Sequence, residues 1–302
     1  MSEPAAVVLN WNLSDLTLRC VRALTDDGLA GAQVVVVDNG SESGEVDRLR
    51  RELPADVHVL ALPRNIGYAR ASNAGAAERP AAERYLFVNN DAFVHAPGSV
   101  ALLLAALDRD GIGIAVPRLL NEDLTLQRNV VPLRSPAIAL AMASGLSRWI
   151  PNCWQPHWST HWDHSHSRAI DAAAGTVTAV RGDLWRELGG YAERELMFSE
   201  DIDLCWRVRK RGFRTWFEHD AVFVHLGDAS GHARTDTRRA ELVAESDASM
   251  IREELSRPAA ATTIGMLAAG YAARSALFAA ARKKPAAAGA RAALRGYLKR
   301  PR

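Results

Sequence analysis

Three carboxylates, Glu200, Asp201 and Asp203, fall within four positions just after Met197, Phe198 and Ser199. From Asp201, the residues Leu204, Cys205 and Val208 recur at the spacing of one helical face, and Gly212 ends the run. Two readings fit these acids. In the structural one, Ser199 caps the helix, the helix dipole favours carboxylates in the first turn, and Asp203 pairs with Arg207 at i, i+4. In the catalytic one, Asp201, with Glu200 beside it, stands at the rim of a cleft and takes a proton as a general base. A second polar group ends an apolar run: Tyr85 to Val88 stops in Asn89, Asn90 and Asp91. A strand ending in a carboxylate without a glycine cradle suits a divalent cation that carries phosphates. His225 ends another apolar run, Ala221 to Val224, soon after the acidic helix. A lone histidine there is more often structural, so its nearness to Asp91 and Asp201 is an expectation to test in the fold.

The elements that must position these groups alternate. Ala5 to Leu9 reads as a buried strand ending in Asn10 and Asn12, followed by a helix from Ser14 or Asp15 to about Gly28. Gln33 to Val37 is a second strand, stopped by Asp38 and Asn39. A helix and the strand Val57–Leu62 follow, then the turn Arg64, Asn65, Ile66, Gly67 opening onto an Ala-rich helix. A helix over about Pro97–Leu107 and a strand over Ile112–Val116 close this half. Apolar strands alternating with helices predict an α/β fold with a mostly parallel sheet. Three strands ending in Asn or Asp predict a ligand site at their carboxyl ends. No G-x-G-x-x-G follows the first strand and no P-loop is present, which argues against a dinucleotide.

The middle, Arg118 to Arg168, is less legible. Arg134–Ile150 reads as a helix, and Trp149 to His166 as an aromatic loop over an acceptor site. His157, His161 and His164 are set aside as metal ligands. Ile170–Arg181 reads as a strand in which Gly175 permits close backbone approach. Phe213–Phe217 and Ala221–His225 read as two short strands.

The 302 residues carry a net charge of +2 that hides an asymmetry. From Ser256 onward there are ten Lys and Arg and no acid, leaving a mildly acidic body. Thr262–Ala281 and Pro285–Leu298 are Ala-rich, and Arg274 interrupts the first, which argues against a membrane span. They read either as basic helices on an anionic membrane surface or as a solvated appendage. No nucleic-acid recognition module accompanies the cations. Cys20, Cys153 and Cys205 are odd in number and widely spaced, against a disulfide framework or zinc site. With no basic leader before Val7, a cytoplasmic setting is expected, peripheral on the inner face of the plasma membrane.

Taken in order, Val7 to Asn12, Val36 to Ser41, Arg64 to Gly67, Leu86 to Asp91 and Ser199 to Arg207 with His225 resemble the family-2 inverting glycosyltransferases of GT-A fold. Within them the pattern is similar to bacterial rhamnosyltransferase-like enzymes of cell-wall and polysaccharide assembly. The resemblance covers about residues 5 to 230. It implies a GT-A domain over 1–230, and the basic, Ala-rich tail is read as a helical, membrane-associating extension over 231–302. It implies that Asn10, Asp38, Arg64, Asn65, Gly67, Asn89, Asn90 and Gly175 border a nucleotide-sugar. Asp91 matches the last residue of the D-x-D metal motif, with Asn89 in place of its first aspartate, and His225 matches the second ligand of a Mg²⁺ or Mn²⁺ ion. Asp201 matches the base. dTDP-L-rhamnose is the preferred donor, with UDP sugars next, and a glycan, polyprenyl-diphosphate-linked or natural-product hydroxyl the acceptor. Three rivals stand beside this: a glycoside hydrolase with two carboxylates, a nucleotidyltransferase, and a non-catalytic sugar- or membrane-binding protein.

Overall fold

The computed structural model describes residues 3–145, 162–193, 199–227 and 237–299. Its first half follows the expected alternation: β1 (Ala5–Asn10), α1 (Ser14–Asp26), β2 (Val34–Asp38), α2 (Glu45–Glu52), β3 (His58–Ala61), α3 (Tyr68–Ala77) and β4 (Arg84–Asn89). Then come β5 (Ala92–Val94), α4 (Ser99–Ala106), β6 (Ile112–Leu120), β7 (Leu126–Gln127), β8 (Val130–Val131) and α5 (Pro136–Ser144). The stretch expected as one strand over Ile170–Arg181 is split among β9 (Arg168–Ile170), β10 (Ala172–Ala173) and β11 (Val177–Arg181). The chain continues through α6 (Gly182–Leu188), α7 (Glu200–Lys210) and β12 (Arg214–His225), and ends in α8 (Thr237–Glu254), α9 (Arg257–Ala280) and α10 (Lys284–Leu298).

The main sheet runs in the order β3-β2-β1-β4-β11-β6-β12-β5. The first four strands are mutually parallel, and β11 lies antiparallel between β4 and β6. β12 is one long strand, not two: it stays parallel to β6 through a register shift between Glu218 and Val222, which the sequence presents as a break. Alternate residues fill two cores. Ala6, Val8, Val34, Val36, Leu86 and Val88 face one layer, and Ala5, Val7, Val35, Val37, Tyr85 and Phe87 the other. At roughly 1.5–3 kcal/mol per large apolar side chain buried, this two-sided burial locks the register. The register sets Asn10 beside Asp38 and Leu9 beside Asn89, so their polar ends share one edge.

The C-terminal helices build a third core. Ala244, Ala248, Ala260, Ala268 and Ala293 pack there with Ala139 of α5. A side chain at Gly270 would meet Ala143, and one at Gly296 the backbone oxygen of Glu241 at 2.3 Å, so the small residues serve close helix approach. The tail is therefore packed on the body, and the solvated-appendage reading fails. Its charge is partly met internally: Lys299 pairs with Glu241 and Glu245, and Arg295 with Glu241. The expected domain boundary near residue 230, the end of the helix expected over Arg134–Ile150, Cys153, His157 and His161 lie outside the described residues.

Candidate active site

The three acids of α7 separate by environment. Asp203 is fully buried and pairs with Arg207 Nε at 2.7 Å, while Arg207 also donates to the carbonyls of Leu188 and Gly190. It is the structural member, as its spacing suggests. The expected cap fails: Ser199 holds the N-cap position in a left-handed conformation (φ 69°), and its hydroxyl caps no helix N–H. A non-glycine residue there carries strain, and such strain gathers at functional sites. Asp201 faces the sheet instead. Its Oδ2 accepts the Gly175 N–H at 2.6 Å and its Oδ1 the Ile202 N–H at 2.8 Å. Burial raises the Asp201 pKa above the ordinary carboxylate value, opposed by those two donors. Gly175 is required at this contact, because a Cβ there would stand 2.7 Å from Asp201 Cβ. The Tyr68 hydroxyl donates to the Gly175 carbonyl at 3.4 Å and is kept protonated by burial and by the charges of Glu200 and Asp201. Glu200 is half-buried beside it.

Asp91 and His225 meet although 134 positions of chain separate them. β5 and β12 pair so that His225 is opposite Ala92, and the Leu226 N–H bonds to the Asp91 carbonyl. His225 Nε2 lies 3.3 Å from Asp91 Oδ1. On the other ring nitrogen, Nδ1 is 2.6 Å from Gln127 Oε1. The Gln127 amide is oriented by its own donations to the His225 carbonyl and to Asn121 Oδ1. Its oxygen can only accept, so Nδ1 carries a hydrogen and Nε2 is the ring nitrogen that faces the carboxylate. Two acceptors at that distance repel unless a cation, either a proton or a metal ion, lies between them. A carboxylate oxygen and an imidazole nitrogen are a donor pair that suits a divalent cation, and Gln127 orients the histidine ring. Gln127 was not legible in the sequence, since β7 has two residues and no pattern.

The strand ends form one polar network. Asn90 Nδ2 donates to Thr17 Oγ1, Thr17 to Asn10 Oδ1, and Asn10 to Asp38 Oδ1 at 2.8 Å. Ser41 donates its hydroxyl and its N–H to the Asp38 carboxylate. Asn10 and Asp38 are buried at 0% and 1% exposure, so they hold the corner from beneath. Asn39 accepts the Ile66 N–H and donates to Asn65 Oδ1, pinning the Arg64–Gly67 turn. Gly40, at φ 70°, lies so close to Arg64 that any Cβ would meet its backbone at 2.2 Å. Thr17 was missed because a single threonine carries no signal of its own, whereas Asn39, read in the sequence as a polar strand end, also braces the turn. His164 is a core residue: it stacks on Trp162 at 4.3 Å, and burial pushes its pKa down to about 4.

The glycosyl transferase family 2 profile matches residues 6–157, half of the chain. The chain belongs to glycosyl transferase family 2. The chain is 27% identical over 203 residues to the N-acetylglucosaminyl-diphospho-decaprenol L-rhamnosyltransferase of Mycobacterium tuberculosis. That match covers 64% of this chain and 66% of the relative, just under two thirds of its length. An uncharacterized protein, y4gI, of Sinorhizobium fredii is 26% identical over 71% of this chain and 23% of its own length. In fold, the chain resembles the mannosyltransferase PcManGT of Pyrobaculum calidifontis, solved with GDP-Man and Mn²⁺. The TM-score is 0.60 at 17% identity, over 98% of this chain and 86% of that one. GalNAc-T7, solved with UDP, GalNAc and Mn²⁺, matches 74% of this chain and 43% of its own at TM-score 0.54 and 17% identity. Membership of the family removes the hydrolase and nucleotidyltransferase readings. Among the described residues, no helix is long and apolar enough to cross a membrane.

Proposed function

We propose that this glycosyltransferase moves a sugar, with inversion, from a nucleoside diphosphate to a hydroxyl of an acceptor, using Asp201 as base and Asp91 with His225 as ligands of Mg²⁺ or Mn²⁺. The observation that carries the reading is the approach of His225 Nε2 to the Asp91 carboxylate at 3.3 Å. A bound divalent cation would neutralise charge on the departing diphosphate. Asp201 accepts the acceptor's hydroxyl proton as that oxygen bonds to the anomeric carbon and the bond to the diphosphate breaks. Burial, which raises its pKa, favours its holding that proton. The Asp38–Ser41 corner and the Arg64–Gly67 turn border the nucleoside, and Asn89 and Asn90 the sugar-phosphate. The name of the mycobacterial relative favours L-rhamnose as the sugar, carried on dTDP in our reading, and a polyprenyl-diphosphate-linked sugar as the acceptor. Residues 1–230 make the catalytic unit and 231–302 its helical extension.

Calorimetric titration of dTDP, UDP and GDP with and without Mn²⁺ tests this. One pyrimidine diphosphate binding only with metal, and lost in Asp91→Asn, is the expected result. Metal-independent binding, or none at micromolar levels, sinks it. In the same titration Gln127→Leu is expected to weaken Mn²⁺ by about 10–100-fold, as loss of an outer-shell partner does. Gly175→Ala, which drives a methyl into Asp201, is expected to lower kcat by about 10²-fold with nucleotide affinity unchanged. Equal loss of nucleotide binding would mean that the alanine disturbs the sheet and not the base.

Peripheral membrane contact on the cytoplasmic face is assigned to the α9–α10 turn. Leu277, 67% exposed, stands there near the exposed Arg282, Lys283 and Lys284. Sedimentation with phosphatidylglycerol vesicles is expected to pull the protein down at low salt and release it at high salt. Binding that ignores salt or Leu277→Asp overturns the assignment.

A further inference from the structure

The hydrogen bond that orients Asp201 is made by a glycine. The Gly175 N–H holds Asp201 Oδ2 at 2.6 Å, yet glycine restrains its own backbone less than any other residue. Its neighbours are tied down. The Ala174 N–H donates to the Asn129 carbonyl at 2.7 Å, and the Asn89 N–H donates to the Thr176 carbonyl at 2.9 Å. Between those ties lies the Gly175 carbonyl, and the Tyr68 hydroxyl reaches it from α3 at 3.4 Å. That is long for an O–H donor, and hydrogen bonds of a catalytic site are often long before substrate seats and tighten afterwards.

The Tyr68 ring is held from two sides. It packs edge-on against Tyr191, with ring centroids 5.9 Å apart at 61°. Tyr191 is buried and clamped by Asn73, further along α3, which accepts the Tyr191 N–H and donates to its carbonyl, both at 2.9 Å. On the other side, Tyr68 is the first residue of α3, directly after Gly67 at the N-cap. Asn39 accepts the Ile66 N–H and Asn65 the Gly67 N–H, so the turn that precedes the ring is itself fixed.

We infer that Tyr68 is a positioning residue for the base: by donating to the Gly175 carbonyl, it keeps the Gly175 N–H on Asp201. This rests on the reading of Asp201 as the base. Without the hydroxyl the glycine is free to turn, its N–H slackens, and the carboxylate loses a donor that favours its charged form. The surroundings make that loss readable. Glu200 and Asp203 share α7 with Asp201, and Asp203 is paired with Arg207. Tyr68, Tyr191 and Cys205 are the other titratable groups near it. Burial raises both phenols and pushes the Cys205 thiol up to about 11, so these three stay neutral where carboxylates titrate.

The test uses the full chain with ¹³C at the aspartate side-chain carboxyls, the Asp201→Asn chain assigning the Asp201 signal. Tyr68→Phe keeps the ring and its contact with Tyr191, so thermal unfolding is expected to stay close to wild type. In that variant the Asp201 titration is expected to move to higher pH. With dTDP-L-rhamnose and Mn²⁺, followed by release of dTDP, Tyr68→Phe is expected to lower kcat by about tenfold, the worth of one hydrogen bond, with KM unmoved. The same change made in the Gly175→Ala chain is expected to cost less than about twofold, because both act through one peptide. An Asp201 titration that stays in place in Tyr68→Phe, or equal losses of kcat in the two backgrounds, overturns the proposal. Absence of turnover in the wild type counts against the donor reading alone, because the carboxyl titration needs no donor.

Discussion

Asp201→Asn is expected to lower kcat by about 10²–10⁴-fold, the range for loss of a general base, with metal-dependent nucleotide affinity retained. The linkage of its pKa sharpens the expectation. Burial raises the folded-state pKa of Asp201. Its contribution to stability is therefore favourable below the unfolded carboxylate pKa and is lost as pH rises through the raised folded value. Above that raised value the ionised carboxylate opposes folding, so there the asparagine chain should unfold at the same or a slightly higher temperature. Activity has the opposite sign, because it needs the carboxylate: kcat/KM should fall as pH drops, starting above the usual carboxylate range. Thermal unfolding and a pH–rate profile read the two effects separately. An Asp201→Asn enzyme with undiminished turnover would falsify the base assignment and return the non-catalytic sugar-binding reading.

Asp247→Ala is expected to cost about 3–5 kcal/mol, the loss typical when one partner of a buried ion pair is removed. Arg134 and Asp247 have side-chain exposures of 14% and 4%, so the arginine left behind keeps its charge away from water. The Tyr297 hydroxyl loses its acceptor at the same time. These three residues join the segment before α5 to α8 and α10, so the loss should loosen the C-terminal helices first. Denaturant unfolding measures the total. A change under about 1 kcal/mol would show that water reaches the pair readily and that it does not clamp the helices. Replacing Arg134 and Asp247 together by Met and Leu is expected to recover much of the loss, since no charge is then stranded.

Much of the site's inventory is visible in the chain before it folds. The ends of β1, β2 and β4 announce themselves because an apolar run must stop where a strand leaves the core, and Asn or Asp at three such stops is informative. Asp203 and Arg207 pair as their helical spacing implies. Ser199 misleads, since residue type suggests a cap while the backbone turns left-handed there. Gln127 lies in a two-residue strand within a stretch that carries no periodicity, so nothing local distinguishes it.

The sequence by itself determined the α/β order, the parallel half-sheet, the polar strand ends and the acidic helix start. All of these follow from hydrophobic periodicity and from residue preferences that act within a few positions. Only the tertiary structure decided which acid of α7 faces the site, because that depends on Gly175 arriving from another strand to receive Asp201. It also decided that His225 meets Asp91 and Gln127, through the pairing of β5 with β12 and the long reach of β12 along β6. The fate of the basic tail was likewise a long-range matter. Ala and Gly read locally as a weakly amphipathic helix, but close packing against α5 and α8 turns them into one wall of an open cleft.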